Sequence, residues 1–308
     1  MIWAKLAVAL CLLGASAPAQ VRASELGLRV DALAVALPSG DAADVYVPDV
    51  QPFRDLFQNA FPVVVFLQGG LTDKAFYGEL ARQVAARGYV VYVPNHLKLL
   101  GPAPALFADG SSLQDVLAAA SAADADPASP LYQIVDTARM GVSGHSFGGV
   151  AAVYAATASC PPPFCTPPSP VYQRPAALRA VAVYGVTTVQ GPLTLEVAND
   201  LPTALIGGSQ DTRVPPANVV ATYDVLEPTR AMILIDGANH WGVADVQNPP
   251  GAQPEAGPQA LAQAQSIRVI AARTALFFDA FVRGSSLAKL LIELELSGPG
   301  VRVTSDLR

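Results

Sequence analysis

The chain has 308 residues, of which 52% are hydrophobic and 14% charged, and its formal net charge is −6. That apolar content can fill a core on both faces of a sheet and excludes a charge-rich, disordered chain. No cluster of Lys and Arg is present, so the composition speaks against a nucleic-acid partner, and the acidic balance reads as a solvated surface.

Residues 1–23 read as a targeting segment. Lys5 supplies a positive start, residues 6–13 a short apolar core, and Ala17-Pro18-Ala19 or Val21-Arg22-Ala23 a small-residue cleavage site. The apolar core is too short to span a bilayer, and no later stretch reaches about 18 uninterrupted apolar residues. Cys11 lies inside that core with Leu10 before it, which favours ordinary cleavage over a lipoprotein anchor. Export is therefore expected, to the periplasm or outside the cell.

Residues 28–37 have strand character, Pro38-Ser39-Gly40 makes a turn, and 44–47 continue as a second strand, giving an antiparallel hairpin. From Phe61 onward, short apolar runs at 63–67, 89–93, 139–142, 180–184, 203–206 and 231–235 alternate with helical stretches. The helical stretches are 77–86, 113–123, 147–158 and 216–226. Continuous apolar strands separated by helices predict a mostly parallel sheet with helices on both faces, an α/β fold. A long helix over 258–282 closes one domain, 24–283. The extension 284–308 has an amphipathic stretch at 287–296 and then turns polar; an accessory helix and a trimmed tail both remain open.

Cys160 and Cys165 bracket Pro161-Pro162-Pro163-Phe164, a stiff segment suited to a tight loop. In an oxidising compartment they would pair as a structural disulfide, since a metal site needs more ligands and a catalytic thiol a nearby His.

Gly144-His145-Ser146-Phe147-Gly148 has the spacing G-x-S-x-G. Its information lies in context: it follows the strand Met140-Gly141-Val142 and opens an alanine-rich helix. A serine there sits on a sharp strand-to-helix turn with its hydroxyl exposed as a nucleophile. That hydroxyl needs a base, and the chain has three histidines. His145 adjoins the serine and would face the other side of the turn, and His96 precedes it in the chain. His240, in the turn after the last parallel strand, is left as the base. Asp211, after the fifth parallel strand, is the expected third member. Asp200 precedes its strand, and Asp236 is close enough to His240 in sequence to belong to the same turn. Two backbone N–H groups should form an oxyanion hole, Phe147 beside the nucleophile and Gly70 in Gln68-Gly69-Gly70-Leu71, with Leu71 second.

Three segments carry a family resemblance: Phe61-Pro62-Val63-Val64-Val65-Phe66-Leu67-Gln68-Gly69-Gly70, then Ala86-Arg87-Gly88-Tyr89, then Gly144-His145-Ser146-Phe147-Gly148-Gly149. Together they resemble the chlorophyllase, dienelactone hydrolase and polyester-hydrolase (cutinase-like) branch of the α/β-hydrolases, over roughly residues 44–284. The resemblance implies the α/β-hydrolase fold, a Ser146–Asp211–His240 triad, esterase or lipase activity on a small-molecule or lipid-like ester, and no cofactor or metal. Gln68-Gly69 stands where many relatives carry His-Gly. A secreted peptidase or a perhydrolase would use the same triad, whereas a non-catalytic binding protein of this fold would need none of it. The substrate pocket should be lined by loops 71–76, 95–109, 185–200 and 241–257; for Leu71, Phe147 and Trp241 an apolar wall and ordinary packing both remain open. The 160–165 loop, beyond the helix that follows Ser146, should lie opposite the nucleophile.

Overall fold

The computed structural model describes residues 29–50, 54–157, 159–167, 170–191, 193–194 and 197–308. The targeting segment, with Cys11, lies outside them.

Among the described residues the main sheet has nine strands. They are β1 (Val30–Ala36), β2 (Ala42–Pro48), β3 (Phe61–Leu67), β4 (Val90–Pro94), β5 (Val135–His145), β6 (Leu178–Tyr184), β7 (Thr203–Gly208), β8 (Arg230–Ile235) and β9 (Val301–Asp306). Their order across the sheet is β1-β2-β4-β3-β5-β6-β7-β8-β9. The six strands from β4 to β8 pair in parallel. The hairpin β1–β2 lies antiparallel at one edge, as the turn at Pro38-Ser39-Gly40 predicts. The helices are α1 (Gly78–Ala85), α2 (Ser112–Ala125), α3 (Ser146–Ala155), α4 (Pro216–Val225), α5 (Gln263–Phe281) and α6 (Ser286–Glu293). This is the expected α/β class, with an arrangement consistent with the α/β-hydrolase fold.

The unbroken apolar run of β3 reflects burial on both faces. Phe61, Val63, Val65 and Leu67 point into one apolar layer, shared with Leu113 and Val116 of α2, Ala151 and Ala152 of α3 and Val219 of α4. Val64 and Phe66 point into the other, shared with Leu80 and Val84 of α1 and Ile267, Ile270 and Phe278 of α5. Strand alternation thus divides the side chains between two cores, and each fully buried one contributes about 1.5–3 kcal/mol.

Two elements depart from the sequence expectation. The closing helix begins at Gln263, not at 258, because the residues before it are engaged by the His240 turn. Asn239 donates from its side chain to Gly257 O (2.9 Å) and from its backbone to Gln259 Oε1 (2.8 Å), and Leu261 N–H donates to Gly237 O (2.8 Å). The extension beyond residue 284 is part of the sheet. Ser285 caps α6 by accepting from Ala288 N–H, and β9 then pairs antiparallel with the whole of β8. The polar look of Val301-Arg302-Val303-Thr304-Ser305-Asp306 is that of an edge strand, with Val301 and Val303 inward and polar residues between them. No helix among the described residues is long and apolar enough to cross a membrane.

Candidate active site

The parallel strands share one direction, so the loops after β3, β4, β5, β7 and β8 gather at their carboxyl ends. There β5 keeps extended geometry through His145 (φ −118°, ψ 136°). Ser146 then turns to φ +51°, and α3 begins at that residue. A positive φ at a non-glycine residue is strained, costing on the order of 1–3 kcal/mol, and such strain collects at functional positions. The flanking glycines allow it. A Cβ on Gly144 would lie 2.7 Å from Gly148 O, and one on Gly148 would overlap the carbonyl oxygens of Leu67 and Gln68. The turn therefore closes on itself and against the end of β3 only when both positions lack side chains.

His240 and Asp211 are brought together from the ends of β8 and β7. His240 Nδ1 lies 2.9 Å from Asp211 Oδ2, with the two residues 1% and 3% exposed. The other carboxylate oxygen, Oδ1, accepts from Arg213 N–H (2.9 Å) and Val214 N–H (2.7 Å), which fixes the plane of the group. A carboxylate can only accept, so the proton sits on Nδ1 of His240 and Nε2 is left as an acceptor. The rings of His145 and His240 are 4.6 Å apart, which places His240 beside the serine turn.

The rival residues are engaged elsewhere. Asp200 forms a two-pronged pair with Arg174. Asp236 pairs with Arg302 of β9 at 3.1 Å, and His96 Nδ1 lies 2.7 Å from Asp41 Oδ2 in the N-terminal hairpin.

Gly70 reaches the serine turn, the position of a Cβ on it being 3.5 Å from Phe147 Cβ. Leu71, second choice in the sequence, gives its N–H to Leu106 O at 2.6 Å and is engaged there. Behind it, Gly69 N–H donates to Tyr77 Oη (3.0 Å), and Tyr77 Oη lies 3.0 Å from His145 Nδ1. Tyr77 and His145 are both fully buried. Burial holds His145 well below the usual histidine range, and the neighbouring His240 acts in the same direction. Tyr77 Oη and His145 Nδ1 share a hydrogen bond, so one chain of hydrogen bonds ties the serine turn to the glycine loop. Burial also raises Tyr77 above the ordinary tyrosine value, which keeps the hydroxyl protonated as a donor.

Glu255 braces the Asp211 loop, accepting from Thr212 N–H (3.2 Å), the Thr212 hydroxyl and Gly257 N–H (2.5 Å). Burial pushes its carboxyl group upward, but these hydrogen bonds outweigh burial and hold it below the ordinary value. Sequence reasoning missed Tyr77 and Glu255 because both reach the site from distant segments and neither stands in a motif.

One open alternative is decided and one expectation needs correction. Trp241 is 2% exposed and packs on the rings of His145 (5.0 Å) and His240 (5.5 Å), so it supports the histidine and does not line a pocket. The 160–165 loop is not opposite the serine, since its Phe164 ring lies 5.5 Å from that of Phe147. The reason is the shortness of α3, which ends at Ala155. The chain then reverses and folds back along the helix face that carries Phe147 and Tyr154, and Phe164 stacks on Tyr154 at 4.8 Å. Cys160 and Cys165 are bonded, with Cα atoms 5.6 Å apart. The chain matches no protein-family model and no curated protein sequence.

Proposed function

We propose that this chain is an exported serine hydrolase of the α/β-hydrolase superfamily, in the chlorophyllase, dienelactone hydrolase and polyester-hydrolase branch, that cleaves carboxylic esters. The observation that carries this reading is the serine at positive φ on a strand-to-helix turn beside a buried His240–Asp211 pair. In this mechanism Nε2 of His240 takes the proton of Ser146 Oγ as Oγ bonds to the ester carbonyl carbon. The N–H groups of Gly70 and Phe147 receive the negative oxygen. The carbonyl re-forms, the C–O bond to the alcohol breaks, and His240 returns the proton to the leaving oxygen. Water, deprotonated by the same nitrogen, then releases the acid and restores the serine. Asp211 holds the Nδ1 proton and stabilises the charged imidazole. The Cys160–Cys165 bond and the leader-like residues 1–23 support export.

The test is covalent. A fluorophosphonate probe should label the full chain once, and Ser146→Ala should abolish both the labelling and the hydrolysis of p-nitrophenyl acetate. A folded wild-type protein that takes up no probe overturns the reading.

A further inference from the structure

α5 and α6 leave a groove of about 560 Å³ between them, bordered also by Val301 of β9 and by Arg87, which follows α1. That volume is of the order of a small-molecule site, roughly 300–1,000 Å³. The groove lies on the α1–α5 side of the sheet, whereas the Cys160–Cys165 loop packs on the other. Val269, Ala272 and Leu276 recur along α5 at helical spacing and form an apolar floor, and Leu291 of α6 lines the same groove. From Arg268 to Asp279 the lining covers about 16 Å of helix axis.

The charges over this floor are unbalanced. Arg268 is exposed and Arg273 half-buried, and neither has a carboxylate partner among the described residues. α6 runs back along α5, so that Leu296, beyond its end, accepts one N–H from Arg273 at 3.0 Å. A guanidinium has further donors to offer. The nearby acids are engaged elsewhere. Asp279 accepts from the Tyr89 hydroxyl at 2.7 Å and lies 3.8 Å from Arg283 Nε. Glu295 accepts from Ser305 N–H at 2.8 Å, and Glu293 pairs with Lys289 at 3.7 Å. Burial draws Arg273 below the ordinary arginine value, as expected for a cation partly withdrawn from water with no anion beside it. In a chain of net charge −6, two arginines without counterions above an apolar floor have the character of an anion site.

We propose that this groove binds a linear-chain carboxylate, its head group between Arg268 and Arg273 and its alkyl chain along Val269, Ala272, Leu276 and Leu291. Arginine meets a carboxylate through paired N–H donors, and the pairing balances the charge of Arg273. The two arginines stand about 7.5 Å apart along the axis of α5, within reach of one head group for two long side chains. Asp279 lies about 9 Å beyond Arg273 along that axis, which directs the head group to the Arg268 end. A peptide fits less well, because its backbone N–H and C=O groups need partners that the apolar floor does not offer. None of the groove residues belongs to the proposed catalytic site, so binding does not depend on the hydrolase reading.

Isothermal titration calorimetry of the full chain with decanoate, below its micelle concentration, tests the site. Decanoate should bind saturably, whereas acetate and inorganic phosphate, which lack the chain, should give no saturable heat. Decanol lacks the charge and should bind at least about tenfold more weakly. Arg268→Gln should weaken decanoate binding about tenfold, the size of one charge-assisted hydrogen bond. Arg273→Gln should do the same, with Arg273→Lys between it and wild type. Arg268 has no hydrogen-bond or ion-pair partner among the described residues, so its variant decides even where loss of the Arg273–Leu296 bond disturbs α6. Absence of saturable decanoate binding to the wild-type protein overturns the site. So does a decanoate affinity within twofold of wild type in Arg268→Gln, or phosphate or decanol bound as tightly as decanoate.

Discussion

Replacing Asp211 by Asn probes how the buried pair sets the state of His240. An asparagine could present either its oxygen or its NH2 to the imidazole. Oδ1 of Asp211 accepts two backbone N–H groups, from Arg213 at 2.9 Å and Val214 at 2.7 Å. Turning the amide so that its NH2 met those donors would leave two buried N–H groups unpaired, at about 1–3 kcal/mol each. The sum, about 2–6 kcal/mol, keeps the amide oxygen on the backbone side in at least about 30 of 31 molecules at the lower bound. The NH2 must then face His240 Nδ1 across the 2.9 Å separation, which forces Nδ1 to accept and puts the ring proton on Nε2. With Nε2 protonated, the base that the proposed mechanism gives Ser146 is gone. The expected loss in kcat is on the order of 10⁴, or roughly 5 kcal/mol of transition-state stabilisation. Steady-state hydrolysis of p-nitrophenyl acetate gives kcat, and urea unfolding checks that the variant is folded. A folded Asp211→Asn protein with kcat within tenfold of wild type refutes the argument.

Two further predictions concern the hydrogen-bond chain behind the serine. Tyr77→Phe removes the acceptor of Gly69 N–H and the hydrogen-bond partner of His145 Nδ1; two buried groups lose their partner, so urea unfolding should show a loss of about 2–6 kcal/mol. The same variant should lower kcat with little change in KM, because a looser glycine loop weakens the oxyanion contacts that the proposed mechanism places in the transition state. His145 is held well below the usual histidine range by burial, so the folded state resists protonation there. The unfolded chain takes up that proton below about pH 6.5; the contribution is complete above that pH and is lost as pH falls toward the folded value. Its slope is at most about 1.4 kcal/mol per pH unit. Denaturant unfolding at about pH 5 and about pH 7.5 should therefore show a smaller pH dependence in His145→Gln than in wild type, and equal dependences would contradict the assignment.

Much of this was readable along the chain because it depends on neighbours in sequence. Strand alternation and apolar runs specify a sheet buried on both faces, and they do so locally, which is why β3, β4, β6, β7 and β8 match the apolar runs closely, whereas β5 extends beyond its expected 139–142 at both ends. The serine turn is also local. Gly144 and Gly148 are needed within a few residues of Ser146, so the motif and its strand-to-helix context announce the bend before any coordinates are known. Chain order and the small number of histidines were enough to pair His240 with Asp211. Other features depend on segments that meet only in space. Tyr77 joins the serine turn from 68 residues away, and Glu255 braces the Asp211 loop from 43. The strand β9 looks polar because an edge strand has one solvated side, so no apolar run marks it. The place of Phe164 was read from the length of a helix that in fact stops at Ala155, and a reversal nearly three turns after Ser146 returned the disulfide loop to the serine turn. Periodicity records which face of an element is buried, but it carries no information about where a chain goes after a proline-rich turn; packing between distant segments decides that.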